Sequence, residues 1–247
     1  GWKGAGKGSR ISDLIYHLDA RGVSVQVTED FDPAEAERTR SSDFGATGYY
    51  PTMQQFWKAL GPRDAITIFD RGWYSALIDH VFNEMHINSN KKRKRVKKRA
   101  RQTVDAAVEE IRAFERQLVD DGYIVVKFFF HITEKTQRER LLKLYNDPAT
   151  SWRVSDRDLR QMLDYPAIYK LYDQLLESTD FDEAPWTLLA AEDKRRANLA
   201  VAEELVNLLE SVTTKEKDAA TLEAETKAKE NSATQGDENA YVDERKR

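Results

Sequence analysis

Apolar residues along the chain fall into two kinds of pattern. Four short stretches are apolar or rich in β-branched residues, namely 23–28, 65–70, 124–130 and 185–191. Such runs are typical of strands, and continuous apolar runs suit strands that a parallel sheet buries on both faces. Elsewhere apolar residues recur every three or four positions, which indicates amphipathic helices. Strands separated by helices predict a three-layer α/β fold, with helices on both faces of a parallel sheet.

Turn residues and capping residues mark the ends of the predicted helices. Gly22 and Gly122 are expected to end two helices, and Thr133 is expected to cap a third. Pro166 is expected to divide residues 158–176 into two helices, because proline cannot continue a helix interior.

Composition narrows the class of protein. The 247 residues can bury one good core, and they contain no cysteine, which excludes disulfides and thiolate metal sites. With 39 Lys and Arg against 43 Asp and Glu, the net charge of −4 gives no support for nucleic acid as the partner. No apolar run approaches the ~20 residues of a membrane span, so no membrane contact is predicted and the cytoplasm is the default location.

Two charged segments interrupt the globular pattern. Residues 91–101 hold nine basic side chains in eleven, and this run fits a solvated helix start, a contact with a polyanion or another partner, or a nucleic-acid contact. From residue 213 onward sizeable apolar residues nearly vanish, so the segment cannot offset its ordering entropy by burial. We therefore expect one domain over 1–212, followed by a tail or linker over 213–247.

The first eight residues have the spacing of a phosphate-binding P-loop. Gly1-Trp2-Lys3-Gly4-Ala5-Gly6-Lys7-Gly8 matches G-x-x-x-x-G-K, and a helix follows at once. Backbone N–H groups of such a loop and of a helix N-terminus bind phosphate, and the lysine reaches the outer phosphates. The residues expected to bind phosphate are Gly1, Gly4, Ala5, Gly6, Lys7, Gly8 and Ser9. Gly8 replaces the usual Ser/Thr ligand of Mg²⁺, and the strand that feeds such a loop would precede Gly1.

The second candidate element is the apolar strand that ends in Asp70. An acidic residue at the end of a buried strand has the form of a Walker B acid, which holds Mg²⁺ beside the P-loop. Arg71 follows directly, and a P-loop combined with a strand that ends in Asp-Arg is far more specific than a P-loop alone.

The chain resembles polyphosphate kinase family 2, most closely one domain of a two-domain polyphosphate:AMP phosphotransferase. The resemblance rests on the P-loop, on Phe69-Asp70-Arg71-Gly72-Trp73-Tyr74 and on Pro185-Trp186-Thr187 with Glu192-Asp193-Lys194. It implies a thymidylate-kinase-like P-loop fold with a helical lid at about 133–160, lacking its first strand here. It also implies Mg²⁺-dependent phosphoryl transfer between polyphosphate and a nucleotide, either AMP or a nucleoside diphosphate. A second kinase domain or a homo-oligomer is the expected partner.

The resemblance assigns roles to particular residues. Lys7, Asp70 and Arg71 are expected to be catalytic, with Asp70 as the metal ligand. Arg38, Arg138, Arg153 and Arg157 are candidates for binding phosphate or nucleotide, the last three from the lid. Two weaker candidates follow the ends of predicted strands. His131 follows the third strand and also fits a structural role. Asp193 and Lys194 follow the last strand, where nucleotide kinases often hold the nucleotide base, and they also fit ordinary helix capping.

One position departs from the family pattern. Many members carry an aspartate two places after the first loop glycine, where this chain has Lys3. That aspartate helps to hold Mg²⁺ in those members. Two other functions stay open. One is an ATP-dependent nucleotide kinase on the same fold, and the other is a catalytically weak polyanion-binding domain that supports a second kinase domain.

Overall fold

The computed structural model describes residues 1–27, 53–74 and 93–214. It divides the chain into two compact units, Gly1–Asn198 and Leu199–Arg247. In the first unit the strands are β1 (Val23–Val27), β2 (Ile66–Asp70), β3 (Lys127–His131) and β4 (Trp186–Ala190). Its helices are α1 (Lys7–Tyr16), α2 (Gln54–Ala59), α3 (Arg93–Asp120), α4 (Glu134–Asn146), α5 (Asp156–Leu163) and α6 (Tyr165–Ser178), followed by helical residues 194–198. In the second unit the described residues, 199–214, are helical.

The four strands form two parallel pairs. β1 pairs with β2, with Val27 opposite Asp70, and β3 pairs with β4, with His131 opposite Ala190. Parallel strands bring their carboxyl ends to one edge, so the residues that follow each strand of a pair lie side by side. Each of the four predicted strands is present, and the predicted α/β class with parallel strands is confirmed.

The larger hydrophobic core lies along one face of α3. Apolar residues at helical spacing on this face, Val108, Ile111, Phe114 and Leu118, pack with Met53, Phe56, Trp73, Tyr74 and Leu175. Burying an aromatic or aliphatic side chain of this size contributes about 1.5–3 kcal/mol. This core therefore fixes the segment that follows β2, which carries Trp73 and Tyr74.

A smaller core joins α4 and α5, within the predicted lid. Leu141, Val154 and Met162 are its buried members. The Thr133 side chain caps α4 by accepting from the Thr136 N–H, as predicted. Pro166 lies in the first turn of α6, so the predicted division into two helices is also confirmed.

Two predicted boundaries differ from the structure. The first helix ends at Tyr16, several residues before Gly22. A separate 3-10 turn, Ala20–Gly22, follows it, and the Asp19 carboxylate caps this turn by accepting from the Arg21 N–H and side chain. The third strand begins at Lys127, where its pairing with β4 begins.

None of the helices in the described ranges has the length and apolar character of a membrane span. Several residues with predicted roles lie outside the described part of the chain. They are Arg38, residues 91–92, the side chains of residues 93–101 in the basic run, and residues 215–247.

Candidate functional site

The loop at the start of the chain turns sharply at two glycines. Gly4 and Gly6 have φ angles of 82° and 84°, in the left-handed region that residues with a Cβ rarely adopt. Gly6 is also the N-cap of α1, and no side chain caps this end of the helix. The first N–H groups of a helix have no partner within the helix, so this end of α1 can receive an anion.

Three side chains hold the carbonyl groups of the loop from outside. Gln137 donates to the Lys3 carbonyl at 3.2 Å, Arg140 to the Gly4 carbonyl at 3.1 Å, and Arg10 to the Gly6 carbonyl at 2.8 Å. Since the N–H and C=O of one peptide unit point in opposite directions, the N–H groups of Gly4 and Lys7 face away from these donors. The side-chain donors thus lie on one side of the loop, and the N–H groups of Gly4 and Lys7 lie on the other.

Arg140 also connects the loop to the segment after β4. Its guanidinium donates to the Ala191 carbonyl at 3.1 Å and to the Glu192 carbonyl at 2.6 Å. The Glu192 side chain accepts from the Thr133 N–H at 2.8 Å, which ties the same segment to the start of α4. One arginine on α4 therefore sets the P-loop relative to the segment that carries Asp193 and Lys194.

Lys7 lies at the centre of a group of charged side chains. Its ammonium donates to the carbonyls of Gly1 at 3.0 Å and Trp2 at 3.1 Å. Burial, followed by the nearby Arg71 guanidinium, lowers the pKa of Lys7 to about 8, and the Asp70 carboxylate opposes this shift. The structure therefore brings Lys7, Asp70 and Arg71 to one place, although Lys7 and Asp70 are 63 positions apart in the sequence.

The turn after β2 has strained backbone. Asp70 is the last residue of β2, and Arg71 has a φ angle of 75°, followed by Gly72 at 53°. Among the described residues, Arg71 is the one non-glycine residue with a positive φ. A side chain in this region costs about 1–2 kcal/mol, and such strain concentrates at functional sites.

Lys3 forms an ion pair with the predicted lid. Its ammonium lies 3.1 Å from the carboxylate of Asp158 on α5. The same carboxylate oxygen accepts from the N–H of Ser155 at 3.0 Å and from its hydroxyl at 2.9 Å, so Asp158 belongs to the capping box of α5. The P-loop and the N-terminus of α5 are thus joined through one carboxylate.

Comparison with known proteins places this arrangement in a family. The family model described as Polyphosphate kinase 2 (PPK2) matches residues 1–218. The chain belongs to the polyphosphate kinase 2 family.

Relatives and solved structures agree with this membership. The chain is 31% identical over 218 residues to a polyphosphate:AMP phosphotransferase from Pseudomonas aeruginosa, with 88% of this chain and 39% of that protein covered. It is 28% identical over 203 residues to ADP-polyphosphate phosphotransferase 2 from Rhizobium meliloti, with 82% and 58% covered. The chain thus spans less than two thirds of the length of each of these relatives.

Two crystal structures share the fold. A putative polyphosphate kinase 2 from Pseudomonas aeruginosa aligns with a TM-score of 0.63 and 26% identity, covering 86% of this chain and 40% of that chain. Polyphosphate kinase 2 from Arthrobacter aurescens aligns with a TM-score of 0.65 and 22% identity, covering 85% and 66%. These likenesses confirm the predicted kinase fold class.

The remaining candidates for substrate contact in this PPK2 chain lie in different settings. Gly8 and Ser9 are exposed in the first turn of α1. Arg138 and Arg153 are exposed, and Arg157 is half-buried beside Asp158. The roles assigned to these residues and to Arg38 stay predictions.

Two weaker candidates have structural partners. The Nδ1 atom of His131 accepts from the Trp2 indole N–H at 3.2 Å, which is the structural role considered for this histidine. The Asp193 carboxylate accepts from the N–H groups of Arg195 at 2.8 Å and Arg196 at 3.2 Å, which is ordinary helix capping. Contact of Asp193 or Lys194 with a nucleotide base stays a prediction.

Sequence reasoning missed the residues that orient the loop, namely Arg10, Gln137, Arg140 and Asp158. A signal was present for Arg140, because it lies one turn from Gln137 and beside the buried Leu141, on the inward face of α4. The exposed Arg138 lies on another face of the same helix.

The Lys3–Asp158 pair is expected to stabilise the fold modestly. Lys3→Met should lower the free energy of unfolding by about 1 kcal/mol, because Lys3 is partly exposed and solvent screens the pair. Asp158→Asn should cost about 2 kcal/mol, since it weakens both the pair and the helix cap. Urea unfolding of the single and double variants measures the coupling, with the exposed Lys135→Met as control. If the losses in unfolding free energy of the two single variants add up to that of the double variant within error, the two side chains do not interact.

Proposed function

We propose that this chain catalyses transfer of a phosphoryl group between inorganic polyphosphate and a nucleotide, either AMP or a nucleoside diphosphate. The observation that carries the proposal is the convergence of Lys7, Asp70 and Arg71 at a P-loop, in a chain of the polyphosphate kinase 2 family. The names of the relatives support the substrate class, since they include AMP, ADP and GDP phosphotransferases that use polyphosphate.

The donor set at the loop fits Mg²⁺. No group of three or more acidic, histidine or cysteine side chains gathers in the described ranges, so the protein offers no complete cage there. Mg²⁺ usually binds through one or two carboxylates together with water and substrate phosphates. The Asp70 carboxylate would hold the ion, which would neutralise charge on the reacting phosphates.

The other groups at the site would bind the phosphates and stabilise the charge that develops during transfer. The N–H group of Gly4 and that of Lys7, at the α1 N-terminus, bind a phosphate, whereas the Ala5 N–H donates to the Trp2 carbonyl at 3.2 Å. The Lys7 ammonium leaves the carbonyls of Gly1 and Trp2 to contact the phosphate. An oxygen of the nucleotide's phosphate attacks the terminal phosphorus of polyphosphate. The P–O bond to the next phosphate breaks, and the shortened polyphosphate leaves with the bonding electrons. Arg71 stabilises the charge on the equatorial oxygens of the transferring group.

A donor comparison tests the proposal. The full-length protein should form ADP from AMP, or a nucleoside triphosphate from a diphosphate, with polyphosphate and Mg²⁺ as the only other reactants. Activity with ATP as the sole competent donor would instead identify a conventional nucleotide kinase.

The Lys3–Asp158 pair favours a second candidate. Because Lys3 places a cation where many relatives have an acid, the domain also fits a polyanion-binding role in support of a second kinase domain or a second copy of itself in the cytoplasm. Salt-dependent binding of polyphosphate by this chain, without turnover, would support this role. Light scattering would show whether a second copy is present.

Polyphosphate capture is expected to weaken as pH rises through about 8. The Lys7 ammonium is charged below its pKa of about 8 and attracts phosphate, whereas the neutral amine above that pH does not. The value of kcat/KM reports the free enzyme, so it should fall about tenfold per pH unit above 8, and kcat should fall only at higher pH because bound phosphate favours the charged form. Lys7→Arg should remove this decline, and an unchanged pH profile in that variant would assign the titration to another group.

Arg140 is expected to support both stability and substrate capture. Arg140→Met removes donors from three backbone carbonyls, so the free energy of unfolding should fall by about 2 kcal/mol. It should also lower kcat/KM for polyphosphate by about tenfold or more, since a displaced loop misaligns the substrate. Lys143→Met, on an exposed position of the same helix, is the control. Equal kinetics in the two variants would show that Arg140 does not orient the loop.

A further inference from the structure

A buried charged pair lies behind the turn that carries Asp70 and Arg71. Glu115 on α3 is 2% exposed and Lys127 on β3 is 5% exposed, and their charged atoms are 2.9 Å apart. Burying two charges costs desolvation that their attraction often only offsets, so such a pair is weak evidence of stabilisation by itself. Its consequence lies in the groups that it holds.

The pair binds both aromatic residues that follow the turn. One oxygen of Glu115 accepts from the Trp73 indole N–H at 3.1 Å and from the Tyr74 hydroxyl. The Lys127 ammonium donates to the Tyr74 hydroxyl at 3.1 Å and to the Thr179 carbonyl at 2.8 Å, in addition to Glu115. All three ammonium donors therefore have acceptors. Hydrogen bonds to charged groups are the stronger ones, so Trp73 and Tyr74 are held firmly.

The strained turn is consequently fixed at both ends. On one side β2 is paired with β1 up to Asp70, opposite Val27. On the other side Trp73 and Tyr74 are anchored to Glu115, and only the left-handed residues Arg71 and Gly72 lie between. Backbone in this region persists only where its surroundings enforce it.

We propose that the Glu115–Lys127 pair positions the catalytic turn. By binding Trp73 and Tyr74 it maintains the left-handed backbone at Arg71, and thereby directs the Asp70 carboxylate and the Arg71 guanidinium toward the P-loop. Glu115 and Lys127 touch no substrate and are positioning residues. The proposal rests on the function proposed above, since it assigns Asp70 and Arg71 their catalytic work.

Conservative variants of the full-length protein test this role. Trp73→Phe removes one hydrogen bond and Tyr74→Phe removes two, and both leave an aromatic ring in the core. Glu115→Gln with Lys127→Met replaces the charges with similar shapes. The matched control is Ile111→Val, a buried change on α3 that removes a methylene and leaves the polar network intact. Each variant is assayed for kcat, for KM, for its unfolding temperature and for hydrogen exchange of the amides of residues 71–74.

A positioning role predicts a particular split between these measurements. Tyr74→Phe and the double variant should lower kcat about tenfold or more, because small displacements of catalytic groups are costly, while KM for the nucleotide changes less than about twofold. Exchange at residues 71–74 should accelerate about tenfold, since the turn opens more often. The control should change neither quantity beyond about twofold at a comparable loss of unfolding temperature.

Two outcomes would count against one proposal each. If the aromatic variants and the control show equal kcat and equal exchange at residues 71–74, the pair does not position the turn. If the unmodified protein transfers no phosphoryl group from polyphosphate, the proposed function fails. Hydrogen exchange then decides alone whether Glu115 and Lys127 hold the turn, because it needs no turnover.

Discussion

Asp70→Asn is expected to lower kcat for phosphoryl transfer by about 10²- to 10³-fold or more, while the protein stays folded. Asparagine has nearly the shape of aspartate, so β2 and its pairing with β1 should survive the change. It lacks the negative charge that would hold Mg²⁺ beside the phosphates. The effect should therefore appear in the metal dependence of the reaction, with a higher Mg²⁺ concentration needed for half-maximal activity and weaker binding of Mn²⁺ as a spectroscopic probe.

The matched control for this variant is Asp64→Asn. Asp64 is exposed and lies just before β2, in the same segment of the chain. Its replacement should leave kcat, metal dependence and unfolding temperature unchanged. Full activity and unchanged Mn²⁺ binding in Asp70→Asn would show that Asp70 does not hold the metal ion. The proposal that the strained backbone at Arg71 serves to position Asp70 would then fail as well.

Lys7→Met is expected to reduce kcat/KM by about 10²- to 10³-fold, comparable with the loss of a catalytic electrostatic donor. The expected effect on stability has the opposite sign. The pKa of Lys7 is lowered from 10.5 to about 8, which means that folding disfavours the charged ammonium. Below pH 8 this penalty is present, and it disappears as pH rises toward the pKa of the unfolded chain. A neutral methionine avoids it, so the variant should be at least as stable as the parent at pH 7.

Thermal unfolding at pH 7 together with steady-state kinetics checks this prediction. Lys58→Met, at an exposed position on α2, is the control for removal of a lysine. A loss of activity that comes with a large loss of stability would instead indicate that the bonds from Lys7 to the loop carbonyls hold the fold together.

The strands and the kinase fold could be predicted from the sequence, because each depends on local sequence patterns. Apolar runs predicted the four strands within a few residues, and Pro166 marked the helix boundary where the structure has it. The ends of the helices were harder to predict. The Asp19–Arg21 contact that accompanies the early end of α1 is a local side-chain interaction that competes with helix formation and leaves no trace in apolar spacing.

The convergence of Lys7, Asp70 and Arg71 could also be anticipated, since a P-loop and an acidic strand end meet at one edge of a parallel sheet. The contacts around them could not. Arg140 binds carbonyls of Gly4 and Ala191, and backbone carbonyls are present at every residue, so no side-chain motif marks such a partner. The left-handed backbone at Arg71 is equally hidden, because an arginine gives no signal for it.

The shared carboxylate of Asp158 restricts how this chain can change over time. Because it caps α5 and also pairs with Lys3, residues 3 and 158 are not independent sites for substitution. A single change of Lys3 to an acid would bring two negative charges together and remove the cation that now balances Asp158. A lineage that exchanges a lysine for an aspartate at this point of the loop therefore meets a barrier. The repulsion between the two acids is avoided when residue 158 changes first, or when a bound cation balances the charge of Asp158.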